Sequence, residues 1–192
     1  MHQFSLPEDL PVPVDDGQCA HLKVGMNFPV EIFTNLPVTN QHSVDITSQP
    51  RTVIYFYPRS GKPNQKLPDG WNEIPGARGC TPETCGFRDH YQELQSLGAN
   101  VYGCSTQTTD YQQEFVDRLH LPFDILSDAK LELLKSLQLP YFTLSELDNV
   151  PLIKRLTMII RDGKIEHVFY PIFPPDKHSQ EVITWLKEHL IQ

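Results

Sequence analysis

The sequence has no long hydrophobic run and no cluster of basic residues. No segment approaches the roughly 20 apolar residues of a membrane-spanning helix, and residues 1–17 hold no apolar stretch of the kind found in a secretory signal peptide. Lysine and arginine number 16 against 24 aspartates and glutamates, a formal net charge of −8. Because phosphate binding needs clustered Lys and Arg, we expect no nucleic acid and no membrane as partner, and a cytoplasmic location.

Cysteine is scarce, and the histidines do not form a metal-ligand pattern. Four cysteines, at positions 19, 80, 85 and 104, are too few for a disulfide framework in 192 residues and lack the paired short spacings of a structural zinc site. None of the eight histidines forms a pair at ligand spacing beside a carboxylate. We therefore expect no metal and no cofactor, a reducing compartment, and no catalytic role for Cys19 or Cys104.

Hydrophobic patterning predicts alternating strands and helices in one domain of residues 1–192. Predicted strands cover residues 52–57, 101–105, 123–126 and a hairpin of 156–160 with 165–169; predicted helices begin near Cys80 and cover residues 110–119, a segment capped by Ser127 or Asp128, and residues 176–190. Two apolar stretches, residues 30–33 and 44–46, are predicted to be a hairpin or two edge strands. This order indicates a thioredoxin-like α/β fold, a central mixed sheet with helices on both faces.

Residues 79–89, GCTPETCGFRD, place a cysteine where a loop gives way to a helix. Thr81 is the predicted N-cap, Pro82 suits the first helical position and Glu83 adds an anion to the first turn. Unpaired backbone N–H groups and the helix dipole favour a thiolate there, and the thiolate is the nucleophilic form. Cys80 is therefore the candidate nucleophile.

Cys85 lies five residues after Cys80 in the same predicted helix. Helical geometry would separate the two Cα atoms by roughly 8–9 Å, beyond the ~7 Å limit for a disulfide. A bond between them requires the first helical turns to unwind, which is typical of a redox switch rather than of a permanent crosslink. On spacing alone, two unrelated thiols are an equally good interpretation.

The run Gly79-Cys80-Thr81, followed by Cys85 and Phe87-Arg88-Asp89, resembles that of peroxiredoxins of the Q or bacterioferritin comigratory protein type. The resemblance continues through Phe56-Tyr57-Pro58 and Gly163-Lys164-Ile165-Glu166, and it covers most of the chain between residues 22 and 190. It implies the thioredoxin-like fold and a cofactor-free thiol peroxidase acting on hydroperoxides.

The resemblance also implies the roles of the two cysteines. Cys80 would be peroxidatic and become a sulfenic acid, and Cys85 would be resolving and condense with it into a disulfide. Thioredoxin or a glutaredoxin-like reductant would then reduce that disulfide. We expect a monomer or a weak homodimer.

Four further residues are candidates for the site on the same resemblance. Arg155, just before the strand of residues 156–160, would contact the peroxidatic thiol and stabilise the departing oxygen. The alternative is an arginine at the exposed start of a strand. Pro58, Gly79 and Thr81 are the candidate substrate-binding residues.

The connection of residues 59–79 is long for a link between a strand and a helix. In typical peroxiredoxins of this type the connection is much shorter, so the resemblance implies an insertion here. We expect residues 59–78 to form an ordered cover over Cys80, anchored by Trp71 and Ile74.

One family position departs from the pattern. Three residues before Cys80, where the family has a Thr or Ser that hydrogen-bonds the peroxide, this sequence has Ala77. Thr81, Ser60 or the backbone N–H groups of residues 78–80 are the candidates to replace that hydroxyl.

Two other classes of function stay open at this stage. A thiol–disulfide oxidoreductase would act on protein disulfides, although four residues between Cys80 and Cys85, rather than two, weigh against it. A non-catalytic thioredoxin-fold binding protein is the other, because Ala77 removes a family hydroxyl.

Overall fold

The computed structural model describes residues 5–192. The first four residues, part of the segment in which no signal peptide is expected, lie outside the described residues. The strands are β1 (Arg51–Phe56), β2 (Ala99–Ser105), β3 (Ile125–Ser127), β4 (Tyr141–Phe142), β5 (Leu152–Ile153), β6 (Leu156–Arg161) and β7 (Lys164–Phe169). The helices are α1 (Val30–Thr34), α2 (Cys80–Asp89), α3 (Tyr91–Ser96), α4 (Thr109–Leu119), α5 (Glu132–Leu137) and α6 (His178–Glu188).

Five strands form one mixed sheet in the order β3-β2-β1-β6-β7. β1 pairs with β2, and β2 with β3, in parallel, whereas β6 is antiparallel to both β1 and β7. Every residue of β1 is buried. Residues 52–57 are a run of apolar and β-branched residues without alternation, which is typical of a strand covered on both faces.

The two faces of the sheet bury separate cores. Val53 and Tyr55 of β1 pack with residues of α2, α3, α4 and α6, whereas the alternate residues Ile54 and Phe56 pack with α1, α5 and the N-terminal segment. Successive side chains of a strand point to opposite faces, so β1 contributes to both cores. Helices on both faces of a mixed sheet confirm the thioredoxin-like α/β fold.

The prediction of a hairpin or edge strands at residues 30–33 and 44–46 is wrong. Val30–Thr34 forms the short helix α1, and residues 44–46 have no regular structure. Phe33 is fully buried between the rings of Phe28 and Tyr102, so tertiary packing orders this segment. A five-residue helix is too short for its period to show in the sequence.

The remaining predicted elements are present with modest shifts of their ends. The N-cap of α5 is Leu131, so the prediction of Ser127 or Asp128 at that position is wrong, although the Asp128 carboxylate accepts hydrogen bonds from the Leu133 and Leu134 N–H groups of the first turn. The final predicted helix begins as a 3₁₀ turn, Pro175–Lys177, and continues as α6. Within residues 5–192, no helix has both the length and the apolar character needed to cross a membrane.

Candidate active site

Helix α2 begins at Cys80, and Gly79 is its N-cap. Gly79 has a φ of +117°, where a residue with a side chain is strained, and a Cβ there would overlap Pro175 and lie 3.2 Å from Leu6 Cδ2. The prediction of Thr81 as N-cap is therefore wrong, since Thr81 lies inside the first turn. The cap is a glycine because the chain before α6 packs directly against it.

We expect Gly79→Ala to destabilise the protein by about 3 kcal/mol, the sum of backbone strain and overpacking. Gly17→Ala is the matched control, because Gly17 also has a positive φ of +77° but no atom within 4 Å of an added Cβ. It should cost only about 1 kcal/mol. Urea unfolding monitored by circular dichroism measures both; equal losses would contradict the close packing on Pro175.

The Cys80 thiol is buried, with 4% of the residue exposed, and Arg155 approaches it directly. Arg155 Nη2 donates to Cys80 Sγ at 3.2 Å and to the carbonyl of Ala77 at 3.0 Å. The same carbonyl lies 3.8 Å from the sulfur. Arg155 is only 3% exposed, so the alternative of an arginine at an exposed strand start is wrong.

Arg155 is also bound to two other groups. Its Nη1 donates to Glu83 Oε1 at 2.8 Å, and its Nε donates to the carbonyl of Gly76 at 3.2 Å. Burial opposes the charge, but Cys80 and Glu83 raise the pKa of Arg155, so the guanidinium stays protonated. One cation therefore joins the thiol, a buried carboxylate and the end of the long connection.

Glu83 is a residue of this cluster whose burial was not predicted from the sequence. Its side chain is fully enclosed; burial raises the pKa of the carboxyl group, and the charge of Arg155 opposes that rise. Helical spacing is the sequence signal that indicates this burial. Glu83 lies three residues after Cys80 and four before Phe87, on the same buried face of α2. A carboxylate on that face requires a buried cation as partner.

The four cysteines are free thiols on two sides of the sheet. Cys80 and Cys85 belong to the core that contains α2, whereas Cys19 and Cys104 contact the opposite core. Cys85 is 8% exposed, and its burial raises its pKa. Helical geometry keeps Cys85 out of disulfide reach of Cys80 in this conformation.

A cleft of about 200 Å³ leads to Cys80. Gly79 and Thr81 line it, together with residues of the long connection that include Trp71 and Ala77. Trp71 is 4% exposed and contacts Phe142 at a ring-centroid distance of 6.0 Å. The long connection thus packs down beside the thiol, as the sequence argument expects of an anchored cover.

Two residues considered for the missing hydroxyl or for substrate binding are not at this cleft. Pro58 is buried just after β1, and Ser60 is buried with its hydroxyl 3.2 Å from Gln107 Oε1. Gln107 also accepts from the Ser60 N–H and donates to the Ser60 carbonyl, both at 3.0 Å. Ser60 therefore fixes the start of the long connection, and of the two candidate hydroxyls only that of Thr81 lines the cleft.

Arg155 also lines a second cleft, of about 320 Å³, together with Val14, Phe142 and Ile172. Cys80 does not line it. The smaller cleft is therefore the route to the thiol. Among residues 5–192, no three His, Cys, Asp or Glu side chains are grouped closely enough to hold a metal ion.

A thioredoxin-like fold with a thiol at a helix N-terminus, held against a buried arginine, defines a thiol-dependent oxidoreductase. The Redoxin family matches residues 23–183. Peroxiredoxin Bcp of Escherichia coli is 32% identical over 161 residues, which cover 81% of this chain and 91% of that protein. The chain belongs to this family and, within it, to the peroxiredoxins of the Q or bacterioferritin comigratory protein type, thiol peroxidases that act on hydroperoxides.

Solved structures of the same type share the fold. Peroxidoxin BcpB from Mycobacterium tuberculosis is 24% identical, with a TM-score of 0.67, over 88% of this chain and 98% of that one. The bacterioferritin comigratory protein of Xanthomonas campestris has the same TM-score at 20% identity, over 87% of this chain and 99% of that one. At these identities the likeness is one of fold.

Proposed function

We propose that Cys80 is the peroxidatic cysteine and that Arg155 activates it. The observation that supports this proposal is the 3.2 Å contact between Arg155 Nη2 and Cys80 Sγ, within a buried cluster that also contains Glu83. The thiolate attacks the outer oxygen of a hydroperoxide, the O–O bond breaks, and the departing alkoxide or hydroxide takes a proton. Cys80 becomes a sulfenic acid, and the product is an alcohol or water.

Arg155 is positioned to stabilise both the thiolate and the oxygen on which charge develops. Its remaining hydrogen bonds go to backbone carbonyls and to Glu83, so it is fixed before substrate arrives. The first intrahelical bond runs from the Glu83 N–H to the Gly79 carbonyl. The N–H groups of Cys80 and Thr81 precede that bond, and with the Thr81 hydroxyl they replace the family hydroxyl missing at Ala77.

Cys85 is the resolving cysteine in this proposal. After the first turns of α2 unwind, the Cys85 thiolate attacks the sulfenic sulfur, the S–O bond breaks, the departing hydroxide takes a proton to become water, and a disulfide forms. A thiol reductant, thioredoxin or a glutaredoxin-like protein, restores both thiols. The need for such a reductant favours a cytoplasmic protein, and we propose that the chain works as one domain, as a monomer or weak homodimer.

Thiol titration tests this function. One equivalent of hydrogen peroxide should rapidly remove two of the four thiols, and reduced thioredoxin should restore them. A thiol–disulfide oxidoreductase would react with a protein disulfide faster than with peroxide, and a binding protein would keep all its thiols. Alkyl hydroperoxides belong in the assay because the Xanthomonas campestris structure is described in terms of alkyl peroxide reduction.

We expect Cys85→Ser to keep the first reaction with peroxide but to stop turnover with thioredoxin, because the sulfenic acid has no partner thiol. Cys80 should then over-oxidise to the sulfinic acid, which adds two oxygen atoms in mass spectrometry. Cys19→Ser, on the other side of the sheet, is the matched control and should turn over normally. A disulfide from Cys80 to Cys19 or Cys104 in the oxidised wild type would contradict the assignment.

A further inference from the structure

Four cations line the cleft that leads to Cys80, although the chain as a whole carries a net charge of −8. They are Arg59, Lys62, Arg78 and Arg118, and no aspartate or glutamate is among the described residues lining that cleft. Arg59, Lys62 and Arg78 all come from the connection of residues 59–79. The positive charge is therefore local to the entrance and comes mainly from this segment.

Three of these cations lack a carboxylate partner. Arg118 is paired with Glu114 at 2.7 Å. Within the part of the chain that the structure describes, no carboxylate lies within ion-pair distance of Arg59, Lys62 or Arg78. Three positive charges at one cleft without counter-charges favour an anionic ligand.

Neutral groups hold the three cations in place. The Arg59 guanidinium carbon and the Lys62 Nζ lie 5.3 and 4.4 Å from the centre of the Tyr111 ring. Arg78 Nη1 donates to Asn72 Oδ1 at 3.1 Å. These contacts leave the charges uncancelled and limit the motion of the three side chains, which line the cleft.

The wall between the cations is apolar. Pro63, Leu67 and the buried Trp71 line the same cleft, with the Cys80 thiol at its inner end. A ligand that fits has an apolar chain, an anionic group at one end and a group at the other end that reacts with the thiol. Hydrogen peroxide has no apolar chain to contact the wall and no negative charge to bind the cations.

We propose that the preferred substrate is an organic hydroperoxide that carries a carboxylate, which Arg59, Lys62 and Arg78 bind while the peroxide group reaches Cys80. This inference rests on the proposed peroxidase function and assigns it a substrate class. The carboxylate is not consumed, so the reaction is the one already described: the O–O bond breaks, Cys80 is oxidised to the sulfenic acid, and a hydroxy acid leaves. The insertion of residues 59–79 is then a specificity element.

The test compares 6-hydroperoxyhexanoate with its methyl ester, which has the same reacting group without the charge. The rate constant for oxidation of Cys80 is measured in rapid-mixing experiments on the reduced protein without any reductant. The acid should react about tenfold faster than the ester at low salt, in line with electrostatic steering and binding. The ratio should fall towards one as the ionic strength rises to about 0.5 M, because salt screens the attraction.

The double variant Arg59→Gln, Lys62→Gln should lower the acid-to-ester ratio to about two. Lys66→Gln is the matched control, because Lys66 belongs to the same segment but is paired with Asp69 and does not line the cleft. It should keep the wild-type ratio. Using the ratio within each variant removes any common effect on folding or on the thiol.

Different failures of this test have different meanings. Normal oxidation by hydrogen peroxide with an acid-to-ester ratio near one in the wild type overturns the substrate class and leaves the peroxidase function intact. No oxidation by any peroxide overturns the function itself. An unchanged ratio in the double variant, with a higher KM for reduced thioredoxin, would mean that the cations bind the reductant, and the proposal would be wrong.

Discussion

Replacing Cys80 with serine is expected to reduce peroxide turnover below a few per cent of the wild-type rate. No other described thiol has an arginine donor like the 3.2 Å contact from Arg155, and a serine hydroxyl is a far weaker nucleophile than a thiolate. The variant is close to isosteric, so the fold should survive with near-normal circular dichroism and urea unfolding. Activity is measured as thioredoxin-dependent consumption of hydrogen peroxide.

A residual rate above a few per cent in a folded Cys80→Ser protein would mean that another nucleophile performs the reaction. Cys85 is the first to test in that case, because it lies in the same helix and the same core. The double variant Cys80→Ser, Cys85→Ser then separates a second peroxidatic thiol from contaminating activity.

Replacing Arg155 with methionine is expected to slow the first reaction with peroxide by about 10²- to 10³-fold, the usual cost of removing one donor that stabilises a developing oxyanion. The guanidinium that donates to the sulfur at 3.2 Å is also lost. Rapid-mixing kinetics of Cys80 oxidation, on the reduced protein without a reductant, measures this first reaction.

The same substitution leaves the Glu83 carboxylate buried without a cation, which costs roughly 3–5 kcal/mol when one partner of a buried pair is removed. The double variant Arg155→Met, Glu83→Gln separates stability from chemistry. It should recover most of the stability but none of the rate. Recovery of the rate together with the stability would show that Arg155 acts only through the fold.

The sequence allowed the central architecture and the position of Cys80 at the start of a helix to be predicted, because both depend on local patterns. The apolar run of β1, the Asp-Gly turn of the hairpin and the loop-to-helix position of Cys80 all lie within short windows. Arg155 was identified only through the resemblance to the family, since 75 residues separate it from the thiol that it contacts. Composition and spacing alone do not connect the two.

Features that depend on long-range packing were not predictable. Gly79 is the cap of α2 because Pro175 occupies the space beside it, and Gln107 holds Ser60 from a distant loop. Helix α1 forms at the first of the two stretches predicted to be a hairpin or two edge strands, because Phe33 packs into the core. In each case a partner more than forty residues away decides the local structure.

The helix that unwinds in the proposed mechanism is a short, separate unit. α2 ends at Asp89 and α3 begins at Tyr91, with His90 between them bound through Nδ1 to the Gly86 carbonyl and lying 3.2 Å from Ser179 Oγ. Phe87 stacks on Tyr55 at 4.7 Å, which anchors the second half of α2 to the core. Opening of the first turns can therefore stop before Phe87, and the rest of the molecule stays folded.

Arg155 links that opening to the redox state of the thiol. In the reduced protein it has two acidic partners on α2, Cys80 and Glu83, and both contacts must break for the first turns to open. In the proposed reaction Cys80 becomes a neutral sulfenic acid, which weakens the contact between its sulfur and Arg155. The free energy of local opening, which amide hydrogen exchange reports, should thus be lowest after the peroxide has reacted, the stage at which the proposed mechanism brings Cys85 to Cys80.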